Sequence, residues 1–288
     1  MGKIDPGKYG GLGGYSPEPF QEREPGIFIP CSISVEPRKG IDVGTIQGVY
    51  EYDKNESGEN NKYLFKNQKE INFVIMFIKR YWQKIEKING KDVTTAFGWD
   101  TPKPENEPLA KYTYNIAGMY LNEKKEKVPH PIPLFEGKFA LIYFKCSGVK
   151  FDGAMKLVSS FKEKSKSLSP LTNDPEFEAN VVTPRRFITK AIVGLNDTKY
   201  GKRYVFSFEP SIKLGDDSVE KFMDMSLELS ELYKKQFDKT GRLNDGQKKQ
   251  VDGNKTLNEN PTFSDNKEPP ATATSTPEKK DSDFELGI

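Results

Sequence analysis

The chain has 288 residues, of which 35% are hydrophobic, 30% charged and 12% aromatic, with a formal net charge of +2 and a single histidine. One histidine and two distant cysteines, Cys31 and Cys146, exclude a paired-histidine metal site and a zinc-ligand cluster. No run approaches the roughly 18 apolar residues of a membrane-spanning helix.

Residues 1–26 are rich in Gly and Pro, with Tyr9, Tyr15 and Phe20 interspersed, and predict a flexible arm. Gly2 to Lys8 formally matches a phosphate-binding loop, but Tyr9 stands where Ser or Thr should hold magnesium and no strand precedes it, so the match is accidental. Strands are expected over 27–35 and 41–52, followed by a polar loop over 53–61. The stretch 71–82 is the most apolar. Its density of Phe, Val and Ile favours a buried strand over a helix. A Pro-rich loop over 99–108 precedes a strand over 111–121, where Tyr112, Tyr114 and Ile116 alternate. After a loop over 124–133 comes a strong strand over 138–146.

Over 149–164 the apolar period changes to that of a helix, with Asp152 in its first turn. Two strands, 181–193 and 203–212, follow as a hairpin with the long loop 194–201. A second helix spans 217–237, capped by Ser218, with Phe222, Met225, Leu229 and Leu232 as its apolar stripe. Beyond 240 large apolar residues become sparse, and the segment cannot bury enough to offset its ordering entropy. The chain therefore divides into an arm (1–26), one folded body (27–240) and a disordered tail (241–288). Its fold class is mainly β (α+β), a barrel or sandwich with one internal and one C-terminal helix.

Two segments combine cations with aromatic rings. Residues 61–91 hold eight bases against Glu70 and Glu86, with Tyr63, Phe65, Phe77, Tyr81 and Trp82 among them. Residues 181–204 hold six bases against Asp197, with Phe187, Tyr200 and Tyr204. Single-stranded nucleic acid asks for this pairing, since cations neutralise phosphates and ring faces stack unpaired bases. The stacking candidates are Tyr81, Trp82, Phe187, Tyr200 and Tyr204; the phosphate candidates are Lys79, Arg80, Arg185, Arg186, Lys202 and Arg203. Adjacent residues such as Arg185 and Arg186 cannot both face one groove of a strand without a bulge. The tail carries seven bases and nine acids, leaving the body at 37 and 33. Its last eight residues hold three acids and no base.

In layout the chain resembles the bacterial and phage single-stranded DNA-binding proteins, through the two basic–aromatic segments, the 241–280 linker and the tip Asp281-Ser282-Asp283-Phe284-Glu285. That resemblance implies an OB-fold-like β-barrel, here with long insertions. It also implies a non-enzymatic protein that coats and protects single-stranded DNA in replication, recombination and repair, without a cofactor. Asp281, Asp283, Phe284, Glu285, Leu286 and Ile288 would recruit replication and recombination proteins and compete for the basic groove. Two features depart from the family: the tip continues to Leu286-Gly287-Ile288, and the body is about twice a minimal OB-fold.

Two other classes compete with this reading. The aromatic arm and long loops also suit a virion structural or assembly protein, and admit a homo-oligomer. Glu136-Gly137-Lys138, with Asp100, could be half of a magnesium-dependent nuclease motif. Cys146 as a nucleophile would need His130 brought beside it. Met1 to Gly14 lacks the apolar core of a signal peptide, so the expected location is the cytoplasm (of a host, if the chain is viral), with both cysteines reduced and no membrane partner.

Overall fold

A computed structural model describes residues 4–10, 12, 28–53, 57–88, 91–99, 106, 108–133, 136–198 and 201–240; of these, 79, 81, 88, 91–99 and 229–240 are described in backbone alone. The described strands are β1 (Phe28–Ile33), β2 (Ile46–Glu51), β3 (Lys62–Gln68), β4 (Glu70–Ile88), β5 (Lys91–Trp99), β6 (Lys111–Leu121), β7 (Leu141–Ser147), β8 (Phe187–Thr198) and β9 (Gly201–Lys213). They form one sheet in the order β3-β2-β1-β7-β6-β4-β8-β9, with β5 added to β4. Every pairing is antiparallel except β1 with β7. The helices are α1 (Pro6–Tyr9), α2 (Phe151–Ser167) and α3 (Asp216–Thr240).

The sheet is strongly curled, a half-barrel. Gly44, before β2, lies against Tyr204 of β9, and a Cβ there would come within 2.4 Å of the Tyr204 ring. Its φ of +69° suits glycine as well. Both faces of the sheet are covered. On one, Ala154, Leu157 and Phe161 of α2 pack onto Phe73, Phe144, Phe206 and Phe208. At Gly153 a Cβ would meet the Phe206 carbonyl oxygen at 2.2 Å, so the helix rests directly on the β9 backbone. On the other face, α1, the 171–182 segment and Val219, Phe222 and Met223 of α3 cover Val74, Met76 and Met119. Burial on both faces explains why β4 reads as a continuous apolar run rather than an alternating one.

The strand β4 changes partners along one edge. It pairs with β6 from Asn72 to Gln83. On the opposite edge it pairs with β8 over Glu70–Val74, then with β5 over Tyr81–Ile88. Neither strand pairs with β4 between Val74 and Tyr81, and a bulge falls there between Ile75 and Phe77. At this gap the Arg185 guanidinium donates to the Met76 carbonyl.

Three expectations are corrected. The strand expected over 181–193 begins only at Phe187; before it run helical turns at Pro175–Phe177, Glu178–Val182 and Thr183–Arg185. Asp174 starts them by accepting from the Glu176 and Phe177 N–H groups, and Pro175 and Pro184 occupy first-turn positions. The stretch ahead of the 99–108 loop holds an unforeseen strand, β5. Part of the arm is ordered: Ile4, Tyr9 and Leu12 are buried in the core, and Asp224 of α3 accepts from the Tyr9 hydroxyl at 2.6 Å and pairs with Lys8.

Candidate nucleic-acid interface

Past the bulge, alternation carries Ile78, Arg80, Trp82 and Lys84 onto the α2 face of β4. Register places Trp82 opposite Tyr112 and Arg80 opposite Tyr114 of β6. The result is a row of rings. Trp82 and Tyr112 have centroids 4.2 Å apart, Phe151 of α2 lies 5.9 Å from Tyr112, and Tyr114 lies 5.1 Å from Phe151. Tyr114 is buried, whereas Trp82, Tyr112 and Phe151 are partly exposed. The Arg80 guanidinium lies 5.9 Å from the Tyr112 ring centre and is itself exposed. Lys84 is paired with Glu86 at 2.7 Å.

The row opens into a cleft of about 500 Å³ between β4, α2 and the 174–185 turns. Arg80, Tyr114, Lys162 and Arg185 are among the residues lining it. Of the α2 lysines, the exposed Lys162 lines this cleft, while Asp152 follows Phe151 in the first turn of the helix.

Of the first basic–aromatic segment, Arg80 and Trp82 stand at this site. Lys79 and Tyr81 are described in backbone alone, and their side chains lie outside the described residues. The second segment does not converge on it. Arg186 is fully buried, with its guanidinium 3.1 Å from Glu178, 3.3 Å from Asp216 and donating to the Ser169 carbonyl at 2.8 Å. Glu178 also accepts from the Leu171 and Thr172 N–H groups. Arg186 is thus an interior clasp and cannot reach a strand of nucleic acid on the surface. Phe187 is buried too, packed on Phe161 at 6.3 Å with the Lys164 ammonium over its ring. Arg185 is 2% exposed and donates to the Val181 and Met76 carbonyls. Its place is in the cleft rather than on an open strand.

Lys202 and Arg203 are exposed on β9, opposite Asp197 and Asn196, and Tyr204 is seated against Gly44. Tyr200 lies outside the described residues. This hairpin end is remote from Trp82. Ile192 pairs with Glu70, so the tip runs beyond the start of β4 while Trp82 lies far along it, on the order of 50 Å of strand away. The residues that sequence reasoning missed are Tyr112, Phe151 and Lys162. The alternation of Tyr112 and Tyr114 was visible, but no local signal pairs them with Trp82 or with a helix about 40 residues on.

The tip residues Asp281, Asp283, Phe284, Glu285, Leu286 and Ile288 lie outside the described residues, as does Asp100. Glu136 is exposed in a turn, its N–H donating to the Pro133 carbonyl. His130 is buried, its Nδ1 accepting from the Ile132 N–H at 3.2 Å. Burial pushes the Cys146 thiol up to about 12, which keeps it protonated and a poor nucleophile near neutrality. Among the described residues no group of three or more His, Cys, Asp or Glu side chains could hold a metal ion, and no helix is long and apolar enough to cross a membrane. No family model matches the chain, and neither a curated protein nor a solved structure matches it.

Proposed function

We propose that the chain binds single-stranded DNA without strong sequence preference, along the Trp82–Tyr112–Phe151 row. The observation that carries this reading is a partly exposed run of rings beside the exposed Arg80, continuing through Tyr114 into a cleft lined by the exposed Lys162. Ring faces accept any base, and each stacked base contributes about 1–3 kcal/mol. Cations beside them neutralise phosphates and make affinity fall with salt. In this reading the curled sheet acts as an OB-like platform enlarged by extra strands, and the acidic tip at 281–288 competes for the cationic surface and recruits replication or recombination proteins.

The assembly-protein alternative drew on a flexible N-terminal arm. Ile4, Tyr9 and Leu12 of that arm are packed on the chain's own core, whereas Tyr15 and Phe20 lie outside the described residues. The deciding experiment is a gel-shift series on single-stranded and duplex DNA, with and without residues 241–288. Preference for the single strand, lost as salt rises, supports the proposal. Equal affinity for duplex, or no shift at low salt, contradicts it.

A further inference from the structure

Arg185 and Arg186 are neighbours in sequence and opposites in electrostatics. Arg186 is matched by two carboxylates. Arg185 is almost as deeply buried, yet its guanidinium donates to two backbone carbonyls, those of Val181 and Met76, and to no carboxylate among the described residues. Burial lowers its affinity for the proton, and no carboxylate among the described residues offsets that. A buried guanidinium with no carboxylate beside it is costly, and a phosphate entering the cleft would supply the missing charge.

Arg185 lines the 500 Å³ cleft, together with the exposed cations Arg80 and Lys162. Two acids line it as well, Asp174 and Glu176. The Asp174 carboxylate is engaged with the Glu176 and Phe177 N–H groups at 2.9 and 3.0 Å. Three cations against two acids leave the lining net positive, which suits a phosphate group. Tyr114 and Phe177 add ring surface to the same lining, and the volume falls within the range of small-ligand pockets.

We infer that this cleft is a phosphate subsite for one nucleotide unit, with Arg185 meeting the phosphate at its base and Arg80 and Lys162 at its rim. The ligand is a nucleoside monophosphate, either free or as one unit of a bound strand. The strand as its source rests on the proposed function; the cleft and its unmatched arginine do not. Because Arg80 borders both the ring row and the cleft, a strand crossing Tyr112 would turn one nucleotide inward there.

The test is calorimetric titration of the full chain with deoxyadenosine 5′-monophosphate, with deoxyadenosine as the phosphate-free control, and in parallel with an oligo-dT strand. The monophosphate is expected to bind at least tenfold tighter than the nucleoside. Arg185→Gln should abolish that difference and Lys162→Ala should reduce it severalfold. Lys162 is exposed, so its variant keeps the test decisive if Arg185→Gln does not fold. Equal binding of the two ligands, or a phosphate preference that survives Lys162→Ala unchanged, overturns the subsite. Oligo-dT binding without monophosphate binding overturns the subsite alone. Arg185-dependent monophosphate binding without oligo-dT binding supports the subsite and rejects the strand as its source.

Discussion

Trp82 and Tyr112 face each other across β4 and β6 with ring centroids 4.2 Å apart, and Arg80 stands over the same Tyr112 ring. Strand register creates this pairing, so it depends on β6 lying against β4 and not on any local signal. Replacing Trp82 or Tyr112 by Ala is expected to weaken oligo-dT binding by about 5- to 150-fold, the equivalent of one lost stacking contact. Arg203→Ala, at the far end of the β8–β9 hairpin, should change it less than twofold. Fluorescence anisotropy with a labelled strand reads both, and equal losses at the two ends would contradict the placement.

Arg186 is a stability residue. Arg186→Met leaves the buried Glu178 without its cation, and breaking such a buried pair costs about 3–5 kcal/mol; the partly exposed Asp216 adds less. Chemical denaturation should show that loss, while strand affinity of the folded fraction stays unchanged. A stable variant with weakened binding would return Arg186 to the interface.

The buried cysteines predict an alkaline weakness. Cys146 titrates near 9 when exposed and is pushed up to about 12 by burial, so the unfolded chain releases the proton first. The contribution from keeping this thiol neutral is complete below pH 9 and falls as pH rises from 9 towards 12. Cys146→Ala should flatten the decline of the midpoint of urea unfolding over pH 8–10.5. The same burial predicts that Cys31 and Cys146 resist a thiol reagent at pH 8 until the protein unfolds.

Deleting residues 281–288 removes three acids and no base. If the tip competes for the cationic surface, the truncated chain should bind oligo-dT severalfold tighter at low salt, with the difference fading as salt screens it. Unchanged affinity at low salt would reduce the tail to a solubilising end.

Much of the sheet was legible because its core strands announce themselves. The 111–121 strand has the bounds read from sequence, and the apolar 71–78 run is the doubly covered part of β4. What failed was polar or tertiary in origin. The ribbon of β5 with the far half of β4, Gln83–Ile88, lacks the one-sided apolar alternation that marks a strand. Arg185 and Arg186 looked like surface cations because arginine is mostly exposed. Only the fold brings Glu178 and Asp216 to one of them and the Met76 carbonyl to the other. The ring row is half legible: Trp82 stands out in its basic stretch, but Phe151 only fits the helical spacing of 149–164, and nothing local ties it to Trp82.

The most direct measurement uses the two tryptophans. Trp99→Phe leaves Trp82 as the sole tryptophan, so its fluorescence reports on the proposed interface alone. Titrating that variant with polydeoxythymidine at low salt should quench the signal saturably. The quench should reverse on adding salt, with a slope that counts released counterions. A signal that stays flat at saturating polydeoxythymidine would contradict single-strand binding at this site.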